Sequence, residues 1–128
     1  MSFNVGYVAG GRFDPPFWPT KSIPFIKGQI MKVGTTSTQE EYVLEQDVEF
    51  FGVAVGASDY KTEDNWTVAV NGVPIVETIY TKDLPEGMFF TALIPLVKGD
   101  VITFIFNNAS ASPKDVWYNY QFLRDEEE

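Results

Sequence analysis

The sequence predicts an all-β protein: an antiparallel β-sandwich of the jelly-roll type, with an extended, proline-rich N-terminal arm. From about residue 26 onward, short runs rich in β-branched and aromatic residues recur at a spacing of about ten residues, as in sandwich folds. Gly, Asn, Asp and Pro separate these runs, and helical periodicity is almost absent. With 128 residues, 45% of them hydrophobic, the chain is long enough for one domain with its own core.

The predicted arm covers residues 1–25. Four of the eight prolines fall between residues 15 and 24, where they remove backbone hydrogen-bond donors and favour an extended conformation. The arm also carries large aromatic side chains that are costly to leave in water, so we expect it to lie on a surface of this chain or of a neighbour. Its predicted partner-binding anchors are Phe13, Phe17 and Trp18.

The predicted jelly-roll domain spans residues 26–124 and contains one clear hairpin. A period-two alternation ends at Asn71-Gly72, a pair that favours a type I′ turn because both residues accept a positive φ. Residues 65–71 and 73–80 are therefore predicted to pair. The other predicted strands are 26–33, 48–56, 88–96, 101–107 and 115–123.

The segment 38–46 is open between two structures. Thr38, with Glu41 three residues later, fits the start of a helix of one or two turns in which the two side chains cap the first turn. An extended segment fits the same residues equally well.

Two of the predicted strands have assignable faces. Strand 101–107 is largely apolar on both faces, which is typical of a central strand covered on both sides. In strand 115–123 one face is strongly apolar and the other mixes aromatic with amide side chains. The apolar face carries Val116, Tyr118, Tyr120 and Phe122.

The composition excludes most enzyme machinery. The chain has no Cys and no His, so it lacks a thiolate nucleophile, a histidine base and the usual metal ligands. We therefore expect no enzymatic activity, no cofactor and no metal. One alternative is a calcium site at Asp59, Glu63, Asp64 and Asn65. Another is glycoside hydrolysis by two of the strand-end acids Asp59, Asp64, Asp100 and Asp115, but turn and solubility roles are the ordinary explanation for acids at strand ends.

The net charge of −9 argues against nucleic-acid and membrane partners, because phosphate groups repel an acidic surface. Part of this charge lies in an acidic C-terminal tail, residues 125–128. The first residues lack the basic and apolar regions of a signal peptide. We expect a chain that is made in the cytoplasm without a signal peptide and remains soluble there.

Aromatic residues close to polar ones form a candidate glycan-binding set. Sugar rings stack on exposed aromatic faces, and Asp, Asn and Gln side chains orient the sugar hydroxyl groups. The set is Tyr60, Asp64, Tyr80, Trp117, Asn119 and Tyr120. The competing assignment for large aromatic residues is the core, which we expect for Trp66 and Tyr118.

Three motifs within residues 48–123 support a family resemblance. They are the hairpin D-x-W-x-V-x-V-N-G from Asp64 to Gly72, the Gly-Asp turn and strand from Gly99 to Ile102, and the N-x-S loop before an aromatic last strand. With these motifs the segment resembles the small non-catalytic jelly-roll domains, of the YomS-like kind, that phages and prophages of Gram-positive bacteria encode.

The resemblance implies a structural component of a virus particle, such as a head decoration protein, a head fibre or a tail accessory protein. The virion is then the expected location, and other virion proteins are the expected partners. Jelly rolls of this size commonly close as trimers, so a homotrimer is expected. The alternative function is a carbohydrate-binding module that recognises cell-surface glycans.

Overall fold

The computed structural model of the chain describes residues 19–81 and 85–125. The strands are β1 (Ile23–Val33), β2 (Thr38–Val43), β3 (Val48–Ala57), β4 (Asn65–Val70), β5 (Val73–Tyr80), β6 (Glu86–Leu96), β7 (Val101–Asn107) and β8 (Lys114–Arg124). They form two four-stranded antiparallel sheets: sheet A, with the order β1-β8-β3-β6, and sheet B, with the order β2-β7-β4-β5. The described residues include no helix with the length and apolarity needed to cross a membrane.

The strand pairing is that of a jelly roll. The first strand pairs with the eighth, the second with the seventh, the third with the sixth and the fourth with the fifth, as in a long hairpin rolled up on itself. Contacts of β8 with β3 and of β7 with β4 complete the two sheets. This arrangement confirms the predicted fold class, an antiparallel sandwich of the jelly-roll type.

The core lies between the two sheets and is rich in aromatic residues. Its β8 members are the predicted apolar face, Val116, Tyr118, Tyr120 and Phe122, all buried. Tyr118 of sheet A stacks on Phe104 of sheet B, with ring centroids 4.2 Å apart, and Trp66 stacks on the same phenylalanine at 5.9 Å. The predicted core positions of Trp66 and Tyr118 are confirmed.

The predicted hairpin is also confirmed. Strands β4 and β5 pair, and both turn residues have a positive φ, 50° at Asn71 and 86° at Gly72. Asn and Gly are the residues that adopt this left-handed conformation at the lowest cost, so the turn is determined locally.

Strand β1 begins at Ile23, three residues inside the predicted arm. Pro24 is accommodated because β1 is an edge strand whose neighbour in sheet A is β8, and proline is tolerated at sheet edges. The described chain before β1, residues 19–22, has no regular structure. The arm anchors Phe13, Phe17 and Trp18 lie outside the described residues.

Segment 38–46, for which the sequence allowed either a short helix or an extended segment, contains an edge strand. Residues 38–43 form β2 and pair with β7, so Thr38 does not cap a helix. Gln39 and Glu41 are exposed while Tyr42 packs against the core, which is the period of a half-buried strand.

Strand β7 is central in sheet B, as predicted, and its inner face is buried. On its outer face, Thr103 is also buried, whereas Val101 and Ile105 are half-buried and line an open depression together with Gln39 and Glu41. The expected cover on both faces is therefore only partial, because this strand lies in a two-layer sandwich.

Candidate binding surface on sheet A

Two of the six glycan-binding candidates come together on the outer face of sheet A. Trp117 and Asn119 lie on β8 and point away from the core, since alternate residues of a strand point to opposite faces. Gln121 follows in the same direction. Because β8 lies between β1 and β3, these three residues, which we call the β8 row, run along the inside of the sheet rather than along its edge.

Glycines on the neighbouring strands make room for the β8 row. The opposed pairs are Trp117 with Gly56, Asn119 with Gly28 and Gln121 with Gly52. A Cβ added to these glycines would lie 3.0 Å from the indole Nε1, 2.6 Å from the Asn119 Oδ1 and 2.6 Å from the Gln121 Oε1, respectively. The three planar side chains therefore lie over the backbone of the neighbouring strands at these glycines instead of projecting away from the sheet.

Large apolar side chains flank the β8 row on both sides. On β1, Ile26 and Ile30 are 60% and 65% exposed, and they lie directly opposite Gln121 and Trp117. On β6, Phe89 is 73% exposed and its ring stacks on Phe51 with centroids 6.1 Å apart. Single exposed apolar residues are ordinary, but several on one flat face are typical of an interaction surface.

Trp117 separates two depressions in this face. Gly28, Gln29, Ile30 and Asn119 line the depression on the β1 side. The depression on the other side is lined by Ala54, Val55, Gly56, Pro85 and Asn119. A ligand in either depression would contact the indole, which is 42% exposed.

Gln121 contributes a carbonyl oxygen that has no hydrogen-bond partner among the described residues although it is buried. Buried polar atoms are almost always paired with protein or with water. This oxygen is therefore an acceptor in the β8 row to which a ligand can donate a hydrogen bond.

Glu49 binds the chain that leads into β1. It lies on β3 and accepts hydrogen bonds from the Thr20 backbone N–H at 3.0 Å, the Thr20 hydroxyl at 2.8 Å and the Lys21 backbone N–H at 3.1 Å. Val48 and Phe50 are core residues, so Glu49 points to the outer face of sheet A. The chain before β1 therefore runs over the end of this face.

The remaining glycan-binding candidates do not join the β8 row. Tyr120 lies on the inner face of β8 in the core, and burial raises the pKa of its hydroxyl above the ordinary value. The expectation of an exposed Tyr120 ring is therefore wrong. Tyr60 is half-buried in the loop before β4, where its hydroxyl accepts a hydrogen bond from the Ala57 N–H. Tyr80 is exposed but lies on sheet B.

Asp64, the sixth candidate, is buried and ion-paired with Lys114. Sequence analysis did not single out Lys114, although a signal was present. It lies two residues before Val116, in phase with the inner face of β8, and a lysine in that phase is expected to be buried.

Three of the acidic residues considered for calcium or for hydrolysis have local partners. The Asp59 carboxylate accepts a hydrogen bond from the Ser112 hydroxyl at 2.7 Å, which, with Lys61 and Lys114 nearby, holds its pKa below the usual range. Asp100 bonds to the β6–β7 turn, and Asp115 pairs with Lys32. Within residues 19–81 and 85–125, no group of three or more acidic side chains is close enough to hold a metal ion.

Comparison with known proteins gives one family. Residues 21–127 match the family model DUF8551, described as a domain of unknown function. The match begins two residues before β1 and includes every strand of both sheets. No curated protein matches the chain.

Proposed function

We propose that this chain, which belongs to the DUF8551 family, is a non-enzymatic structural protein of a bacteriophage particle, attached through its N-terminal arm and the outer face of sheet A. A head decoration protein, a head fibre and a tail accessory protein are the forms we consider. The resemblance of residues 48–123 to phage-encoded jelly-roll domains suggests the particle. The observation that carries the attachment role is the apolar outer face of sheet A.

This face has the properties of a surface that is covered in an assembly. Ile26, Ile30 and Phe89 are each more than half exposed, and covering such side chains removes apolar surface from water, which favours association. Charged residues lie toward the ends of the face: Lys32 with Asp115 at one end, and Glu49 at the other. A face with an apolar centre and a polar rim is typical of protein interfaces.

The arm leads to the same side of the molecule. Thr20 and Lys21 are bound to Glu49 on the outer face of sheet A, so the sequence before them emerges at the margin of the apolar surface. That sequence carries Phe13, Phe17 and Trp18 among prolines, which lower the entropy cost of ordering an extended segment. Arm and face can thus engage the same partner, and a homotrimer is the assembly that we expect in solution.

Truncation tests the role of the arm. Deleting residues 1–18 keeps Thr20 and Lys21 on Glu49, so β1 and the fold are preserved. We expect the truncated chain to unfold at the same temperature as the full chain, but to be missing from purified phage particles in which mass spectrometry detects the full chain. Undiminished incorporation would show that the arm is not the attachment.

A matched pair of variants tests the face. Ile30→Asp places a charge on the outer face of sheet A, and Val73→Asp places one on sheet B at a site of equal exposure, 65% and 64%. Sedimentation velocity should show an oligomer for the wild-type chain and for Val73→Asp, and a monomer for Ile30→Asp. A monomeric wild-type chain, or equal effects of both variants, would contradict self-association through sheet A.

The β8 row supports a second candidate, carbohydrate binding. The Trp117 indole lies over Gly56 between two depressions, and the amides of Asn119 and Gln121 follow it in line. An aromatic ring beside amides can stack on a sugar and orient its hydroxyl groups. A glycan array should show binding that is lost in Trp117→Ala and kept in Tyr80→Ala, an exposed ring on sheet B. No binding by the wild-type chain would reject this candidate.

A further inference from the structure

The buried ion pair of Asp64 and Lys114 joins the two sheets. Asp64 immediately precedes β4 of sheet B, and Lys114 is the first residue of β8 in sheet A. Both side chains are 0% exposed, and the Lys114 Nζ contacts the Asp64 Oδ2 directly. An amine and a carboxyl group are thus held together in a site without access to bulk water.

The groups around the pair fit the chemistry of acyl transfer. The Ser110 backbone N–H donates to the Asp64 Oδ1 at 2.9 Å, and the Ser110 hydroxyl donates to the Oδ2 at 3.0 Å. The Phe106 ring lies against the Lys114 Nζ, with its centroid 5.6 Å away. One carboxylate oxygen therefore faces a fixed backbone donor, while the other contacts both the amine and a hydroxyl that can carry a proton.

The charged form of the pair is costly in this place. Removing an ammonium and a carboxylate from water carries a large desolvation penalty, which their mutual attraction does not always repay. Transfer of one proton from Lys114 to Asp64 removes both charges. It leaves a neutral amine in contact with a carboxylic acid, and these are the reactants of amide formation.

We propose that Lys114 and Asp64 form an intramolecular isopeptide bond. The Lys114 Nζ attacks the Asp64 Cγ, and the negative charge that develops on Oδ1 is stabilised by the Ser110 N–H, as in an oxyanion hole. The C–Oδ2 bond then breaks, and Oδ2 leaves as water with two protons that originate from the lysine ammonium group. The Ser110 hydroxyl, which contacts Oδ2, relays a proton to it. Ammonium plus carboxylate gives amide plus water, so no co-reactant is needed.

The bond would connect residues 50 positions apart in sequence and tie sheet A to sheet B. The chain has no cysteine, so it has no disulfide with which to do this. An amide also differs from a disulfide in that reducing agents do not cleave it.

Mass spectrometry of the full-length chain tests the proposal. The denatured wild-type protein should weigh less than its sequence by the mass of one water molecule, and a protease digest should contain a branched peptide that joins the Asp64 and Lys114 segments. Lys114→Met should have the full sequence mass. Lys32→Met, which removes a lysine from an exposed ion pair with Asp115, should keep the deficit.

Two results would overturn the isopeptide bond. One is a wild-type chain of full sequence mass, and this measurement does not depend on whether the Lys114 variant folds. The other is a one-water deficit confined to a linear peptide that contains Asp64 without Lys114, since an aspartate can lose water by cyclising onto its own backbone.

Discussion

The two ends of the sandwich are both held by polar side chains, but in opposite surroundings. At the end where Asp64 meets Lys114, the polar groups are buried, and Asn108, 4% exposed, donates to the backbone carbonyls of Gly34 and Ser112. At the other end Asn71 accepts a hydrogen bond from the Val101 N–H at 2.9 Å at the surface. We call these the buried end and the exposed end.

The difference shows how burial, rather than the number of hydrogen bonds, decides what a polar residue contributes. At the exposed end water replaces a lost partner, so removing Asn71 or Asp100 costs little more than the bond itself. At the buried end the Asp64 and Lys114 side chains are shielded from bulk water, so a partner left behind there keeps most of its desolvation cost. The predictions below test this contrast, from the largest expected effect to the smallest.

Lys114→Met should have the largest effect on the free energy of unfolding. It leaves the Asp64 carboxylate buried without its cation, which costs about 3–5 kcal/mol even before the loss of the proposed isopeptide bond is counted. Denaturant titration measures the loss, and Lys32→Met, in the exposed pair with Asp115, should cost at most about 1 kcal/mol. Adding Asp64→Leu to Lys114→Met should recover part of the loss. Equal effects of the two lysine variants, whose ion pairs lie at the same end of the sandwich but differ in exposure, would show that burial does not decide the cost.

Asn108→Ala should rank second. It removes the amide that bridges the β1–β2 and β7–β8 loops and leaves the Gly34 and Ser112 carbonyls without this donor. We expect a loss of about 1–3 kcal/mol, measured by chemical denaturation. A loss below that of the Asn71 variant described next would contradict the ranking of the two ends.

Asn71→Ala tests the exposed end. Alanine is disfavoured at a φ of 50°, and the bond to the Val101 N–H is lost to water, so we expect about 1–2 kcal/mol. Asn71→Gly is the control, because glycine adopts the same φ without strain. If the glycine variant loses as much unfolding free energy as the alanine variant, backbone strain is not the cause. The side-chain hydrogen bond of Asn71 then stabilises the fold more than its exposure predicts.

Asp59 should give the smallest effect, because its side chain is only partly buried. The largest cause that lowers the pKa of the Asp59 carboxyl group is its hydrogen bond from Ser112. The ionised carboxylate therefore stabilises the folded state fully above the usual aspartate pKa of about 4. This stabilisation is lost as the pH falls through the lower pKa of the folded state. Asp59→Asn should flatten the pH dependence of the unfolding midpoint below about pH 4. If the unfolding midpoint of this variant still falls with pH as steeply as that of the wild-type chain, other carboxyl groups cause the pH dependence.

The sequence allowed much of the fold to be predicted, because the signals are local. Alternation and the Asn71-Gly72 pair identify β4 and β5, and a period of two separates the two faces of β8. The start of β1 is harder to predict from the sequence, because Pro24 favours a non-strand arm. Only the position of β1 at the edge of its sheet explains why a proline is tolerated there. Segment 38–46 stays ambiguous until its partner β7 is known.

The candidate surface is harder to predict because it depends on pairing between distant strands. The glycines under the β8 row, Gly28, Gly52 and Gly56, have no shared sequence signal, and only the register brings them opposite β8. Trp117 and Tyr120 are both aromatic, and the period of two already places Tyr120 on the apolar face with Val116 and Phe122, a signal that the choice of glycan-binding candidates did not use. Asp64 looks like part of an acidic loop until Lys114, 50 positions later, is placed beside it.

The rolled hairpin also has a consequence for how the chain folds. Among the eight strands, β4 and β5 are the only pair consecutive in sequence that hydrogen-bond to each other. Strand β1 has its pairing partner at the other end of the domain, in β8. A topology with so few local contacts folds slowly, and assembly is expected to spread outward from the central hairpin. During synthesis β8 leaves the ribosome last among the strands, so sheet A stays incomplete and its apolar strands exposed until translation of the domain ends. Chaperones would have their longest access to the protein in this interval.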